Sequence, residues 1–202
     1  PGWKASIQGI IDGNIDAAIA STNSSMLFQV ASSPRGLHFF DAPADEKENW
    51  VNLRKHAPWL VPHVATSGVG LSDTVVHTGG TFGYPVFMTY SRMSDQSAYE
   101  MVKLMNDKYA KYKDAHASAK GFALDRQVMQ WIIPYHAGAV KLFKEQGVWS
   151  AEDQAHNDSL LARQDLLMKT WNATGKGSDY AAWMKARYEA LTAGGYDPVW
   201  QD

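Results

Sequence analysis

Histidine is the side chain best suited to proton chemistry near neutral pH. This chain has seven: His38, His56, His63, His77, His116, His136 and His156. No two stand in an H-x-x-x-H or H-E-x-x-H arrangement, the spacing that puts two metal ligands on one helix face. There is no cysteine. That excludes a thiolate zinc site, a disulfide scaffold and a cysteine nucleophile. No G-x-S-x-G elbow and no P-loop is present. Gly68-Val69-Gly70, followed by Gly79-Gly80, lacks the G-x-G-x-x-G spacing and reads as a flexible glycine-rich connection. These residues give no positive sign of a catalytic group, a metal or a cofactor, and we expect none of the three.

The cluster Ser21-Thr22-Asn23-Ser24-Ser25 carries more information. It follows a short apolar run, residues 15–20, that reads as a buried strand. It precedes a helix expected from 25 to about 32. In open α/β sheets, ligands bind beyond the carboxyl ends of strands. A helix start there offers free backbone N–H groups, which suit a carboxylate. Thr22, Asn23 and Ser24 are therefore candidate ligand contacts. The plainer reading is that Asn23 or Ser24 merely caps the helix. Thr81 and Tyr84, in an expected strand over 81–90 that could cross between lobes, are further candidates. Proline at 85 makes that run an edge or a crossing rather than a central strand. His136 falls in the first turn of an expected helix, where a cation is disfavoured. We expect it to be neutral, hydrogen-bonded and structural.

These residues need a scaffold, and the composition supplies one. Of 202 residues, 45% are hydrophobic and 20% charged, as in ordinary globular proteins. The net charge of -2 argues against a nucleic-acid partner, which calls for a basic face. No run approaches the roughly 18 apolar residues of a membrane helix. The eight tryptophans, nine tyrosines and seven phenylalanines should serve mainly in packing.

Periodicity predicts helices over 3–12, 25–32 and 45–56, and strands over 15–20, 36–40, 61–66 and 81–90. Such alternation points to an α/β sheet unit. From 94 onward the chain reads as helical: 94–112, 121–131, a helix opened by Pro134 and closed by Gly147, 150–171 and 178–193. Ser150 and Asp153 have the spacing of a capping box. We divide the chain into an α/β ligand-binding lobe, 1–90, and a mainly helical region, 91–202.

One stretch resembles a known family. Pro134, His136, Gly138, Ala139, Phe143, Glu145 and Gly147 follow the C-terminal signature of the TAXI solute-binding subunits of TRAP transporters. Gly13-Asn14-Ile15-Asp16-Ala17 is similar to the family's G-x-I-D-A segment, and Tyr99 lies where the family has a tyrosine-containing helix. At His116 the family often has His-Pro, and Ala117 departs from it. The resemblance covers about residues 1–150.

The resemblance implies a type II periplasmic-binding-protein fold, in which two α/β lobes close on a small solute. It implies a periplasmic protein that hands an organic acid or amino-acid-like solute to a TRAP membrane permease. On this reading the chain is the second lobe plus the C-terminal helices. An N-terminal lobe, from the same or another chain, would complete the cleft. An enzyme of thiamine synthesis resembles the wider superfamily, but it carries a cysteine-rich motif that this chain lacks. A ligand-sensing domain of a regulator is the other alternative; it needs an attached DNA-binding or signalling segment, and none is visible.

Overall fold

A computed structural model describes residues 2–83, 86–177 and 179–198. The side chains of Ala117 and Gly175 are outside the description. The expected start of the last helix at Ser178 and the candidate contact Tyr84 also lie outside the described residues.

Three short helices open the chain: α1, Trp3–Ile11; α2, Met26–Ala31; and α3, Lys47–His56. Gly13, at φ +77°, takes the left-handed turn that ends α1. In α3, Glu48 stands in the first turn and Arg54, Lys55 and His56 in the last, matching the helix dipole at both ends. Ile7 of α1, Leu27 and Val30 of α2, and Val69 form one small core, with Leu37 and Phe39 packed against it.

The sheet is smaller than the sequence leads one to expect. Strands β1, Val61–Ala65, and β2, His77–Thr81, pair antiparallel, with Val61 opposite Thr81 and Ala65 opposite His77. No other strand occurs among the described residues. The runs at 15–20, 36–40 and 82–90 are irregular where described. A strand is stable only when its N–H and C=O groups find a neighbouring ladder and its apolar face finds a layer to cover it. Ile19 is 95% exposed and Phe40 is 73% exposed, so neither has such a layer. The glycine pair Gly79-Gly80, read from the sequence as connection, instead lies within β2.

Four further helices follow: α4, Asp95–Tyr112; α5, Ala137–Glu145; α6, Ala151–Thr170; and α7, Tyr180–Ala193. Ser94 caps α4 by accepting a hydrogen bond from the Ser97 N–H at 3.1 Å. The helix expected at 121–131 is replaced by two 3-10 turns, Ala117–Phe122 and Leu124–Arg126. The chain there crosses between packed elements, and side chains such as Gln127 take over its carbonyls. Helix α6 begins with the expected capping box: Ser150 Oγ accepts from Asp153 N–H, and the Asp153 carboxylate accepts from Ser150 N–H. A π-turn, Trp171–Gly175, closes α6 and sets the Trp171 ring edge-on against Trp183 of α7 at 4.9 Å.

Helices α4 and α5 touch at backbone distance. A Cβ on Gly138 would lie 2.6 Å from the Tyr99 nitrogen and 2.9 Å from the Ala98 Cβ, so glycine alone permits this crossing. His136 caps α5. Its Nδ1 accepts from the Gly138 N–H at 3.2 Å, and its Nε2 faces the Met93 carbonyl at 3.2 Å. The lone pair is thus on Nδ1 and the hydrogen on Nε2. Behind this joint Tyr135, Phe143 and Trp149 pack their rings together. Burial pushes the Tyr135 phenol up to about 12, aided by the Asp153 charge.

Candidate functional site

A cavity of about 2050 Å³ lies between the small sheet with its loops and the helices α4 and α5. The loops at 19–23 and 65–67 and both strands form one wall. Met101, Val102 and Met105 of α4 contribute to the opposite wall, with Leu142 of α5. Small-molecule sites usually enclose about 300–1,000 Å³, so this space holds a small solute with room to spare.

The polar turn sits on the first wall as a clasp. Thr22 Oγ1 donates to the Ser67 carbonyl at 2.9 Å, Ser67 Oγ donates to Asn23 Oδ1 at 3.2 Å, and the Val69 N–H donates to the Thr22 carbonyl at 3.0 Å. Gly68, at φ +150°, makes the approach possible: a Cβ there would lie 2.6 Å from the Thr22 carbonyl oxygen. The segment Gly68-Val69-Gly70 is therefore a fitted part of the clasp rather than a loose connection, and Val69 is buried in the first core.

Of the sequence candidates, Thr22, Asn23 and Thr81 line the cavity. Ser24 does not line it; its hydroxyl accepts the Met26 N–H at 3.3 Å. The start of α2 has little to offer an anion. The N–H groups of Met26, Leu27 and Phe28 are taken by the Ser24 hydroxyl, the Ser24 carbonyl and the Ser25 carbonyl. The amide nitrogen of Asn23 keeps donors to spare, since its oxygen is the atom held by Ser67.

Sequence reasoning missed a second group of residues, of which His77 and Phe39 line the same cavity. Asp41 Oδ1 accepts from Thr78 Oγ1 at 2.9 Å, from Thr78 N–H at 3.2 Å and from His77 Nδ1 at 3.2 Å. These bonds, those from Thr78 foremost, hold the Asp41 carboxyl below the usual carboxylate range. His77 stacks on Phe39 with ring centres 5.1 Å apart. No motif or spacing around Asp41 or His77 marks the pair in the sequence. Elsewhere on the cavity wall, partial burial and then the Arg126 guanidinium hold His63 below the ordinary histidine value.

Trp131 also lines the space. Its ring covers Gly83, where a Cβ would meet it at 3.7 Å. Its carbonyl faces His156 Nε2 of α6 at 2.5 Å. Its indole Nε1 is buried without a hydrogen-bond partner. No group of three or more His, Asp or Glu that could hold a metal gathers among the described residues.

A large cleft thus lies between a small sheet region and packed helices, lined by short polar side chains on the sheet side and by many apolar ones. The match to a family model over residues 1–147 gives the class: the chain belongs to the NMT1-like family, a periplasmic-binding-protein-like family. Helices α6 and α7 lie beyond the matched residues. No curated protein and no solved structure matches the chain. Among the described residues, no helix is long and apolar enough to cross a membrane.

Proposed function

We propose that this chain is the solute-binding component of a TRAP transporter of the TAXI type. It works in the periplasm, captures a small organic anion or amino-acid-like solute, and delivers it to the membrane permease. It carries out no chemistry on its cargo. The observation that carries this reading is the cavity of about 2050 Å³ shared between the sheet loops and helices α4 and α5, in a chain of a periplasmic-binding-protein-like family. The TAXI assignment rests on the run from Pro134 to Gly147, whose His136, Gly138 and Gly147 hold α5 in place and leave the clasp to meet the solute.

In this reading Thr22, Asn23 and Thr81 meet the solute, and Tyr84 follows on the same run. A small acid fills only part of the cavity, so tight capture requires its walls to close, a shift between open and closed populations. A thermal-shift screen of organic acids and amino acids tests the reading, because a ligand bound to the native state raises its stability by mass action. We expect stabilisation by at least one carboxylate. No shift with any of them, or turnover of any, sinks it. A fused multi-spanning permease gene beside this one would support delivery.

A further inference from the structure

The imidazole of His77 is held on three sides. Asp41 Oδ1 takes Nδ1 at 3.2 Å, Phe39 stacks on one face, and buried Gly79 lies beneath the far edge. A Cβ at position 79 would sit 2.6 Å from Nε2. Glycine at 79 therefore lets the ring lie against the strand, where any other residue would collide with this nitrogen. His77 and Gly79 both line the cavity, and no described residue makes a hydrogen bond to Nε2.

The register places this ring beside the clasp. His77 stands opposite Ala65 at the end of β1, and two residues on Ser67 holds Asn23. The candidate contacts of the turn and the open edge of His77 thus share one end of the sheet.

Hydrogen bookkeeping fixes what Nε2 can bind. An ionised carboxylate only accepts. The hydrogen between Asp41 and His77 therefore belongs to Nδ1, and in the neutral ring Nε2 carries the lone pair. A lone pair seeks a donor. A carboxylate has none to give, and the Asp41 charge behind the ring repels it. An ammonium or a hydroxyl group supplies one.

We propose that His77 Nε2 accepts a hydrogen bond from the captured solute, so that the cleft selects an amino- or hydroxy-substituted acid over the unsubstituted acid. The inference rests on the solute-capture reading and adds to it a named contact and a polarity. Asp41 and Phe39 are positioning residues, and Gly79 lets the imidazole take its place.

Aspartate, malate and succinate share one dicarboxylate skeleton and differ only in the donor. Calorimetry at about pH 8, where histidine is ordinarily neutral, compares them on the full chain. We expect aspartate or malate to bind about tenfold tighter than succinate, the size of one hydrogen bond to a partly buried partner. His77→Phe keeps a ring against Phe39 and removes Nε2; it should erase the preference, so that the three acids bind alike. Nitrogen NMR of the wild-type chain gives a second readout that needs no variant to fold: the His77 Nε2 resonance should shift when the preferred acid is added and stay put with succinate. Equal affinity for the three acids, a preference that survives His77→Phe, or an unmoved resonance overturns the proposal and leaves solute capture standing. Binding of none of the three overturns the proposal as well, and solute capture then stands or falls on the wider screen.

Discussion

Asn157 of α6 grips both backbone polar atoms of Tyr135. Its Oδ1 accepts the Tyr135 N–H at 2.7 Å, and its Nδ2 reaches the Tyr135 carbonyl at 3.5 Å. The asparagine is only 3% exposed. One side chain thus completes the hydrogen bonds of a part-buried segment just before α5, and it ties helix α6, beyond the family match, to the matched part of the chain.

We predict that Asn157→Leu destabilises the protein by about 2–3 kcal/mol, because two main-chain groups would be buried without partners. Asn157→Asp keeps the acceptor for the Tyr135 N–H and should cost less. Urea unfolding monitored by tryptophan fluorescence measures both. Equal stability of Asn157→Leu and wild type would show that the clamp is dispensable.

The crossing of α4 and α5 gives a sharper test of packing. Gly138→Ala adds a Cβ where the backbone of α4 already stands, and overpacking of this kind costs about 1–3 kcal/mol, occasionally more. Gly121→Ala is the control, since a Cβ there meets nothing within 4 Å. A loss of thermal stability confined to position 138 is the expected result. Similar melting of the two variants would contradict the contact.

The clasp should be felt in binding before it is felt in folding. Gly68→Ala forces a residue with a Cβ into φ +150° and drives it against Thr22. Thr22→Val removes the bond to the Ser67 carbonyl at the cost of about 1 kcal/mol of stability. Both should weaken capture of whichever acid the wild type binds, with Gly68→Ala the more severe. Unchanged dissociation constants in both variants would remove the clasp from the site.

Acid should loosen the start of α6. Two bonds from Ser150, backbone first, hold the Asp153 carboxyl below its ordinary value of 3.8. A carboxyl whose folded value is depressed adds stability above its unfolded value and loses it as pH falls through the folded one. The same sign applies to Asp41. The melting temperature should therefore fall below about pH 4. Asp153→Asn should flatten that fall while lowering stability at neutral pH by about 1 kcal/mol. A slope unaltered by Asp153→Asn would assign the acid transition to other groups.

Local chemistry explains what the sequence made legible. Caps and glycine stops are short-range, so Ser94, the Ser150–Asp153 box and the left-handed Gly147 all stand where spacing placed them. The polar turn was likewise readable as a surface near a cavity, through Thr22 and Asn23. Strands depend on partners elsewhere in the chain. The apolar run at 15–20 has strand-like composition and no ladder to join, so composition alone misled. The Asp41–His77 pair spans 36 residues and forms only when β2 meets the loop before α3. Nothing in the spacing of either residue announces it. The glycines at 68 and 79 look like slack in sequence and act as clearance in space, a difference visible only once their neighbours Thr22 and His77 are in place.

The π-turn at Trp171–Gly175 has its own consequence. Its signature bond runs from the Lys176 N–H to the Trp171 carbonyl at 2.9 Å, one residue wider than an α-helical turn. That extra residue sets the phase at which α7 returns, and with it the meeting of Trp171 and Trp183. Adding or removing a single residue within the turn would break this bond and carry Trp171 off the edge of Trp183, so the turn acts as a spacer cut to one length.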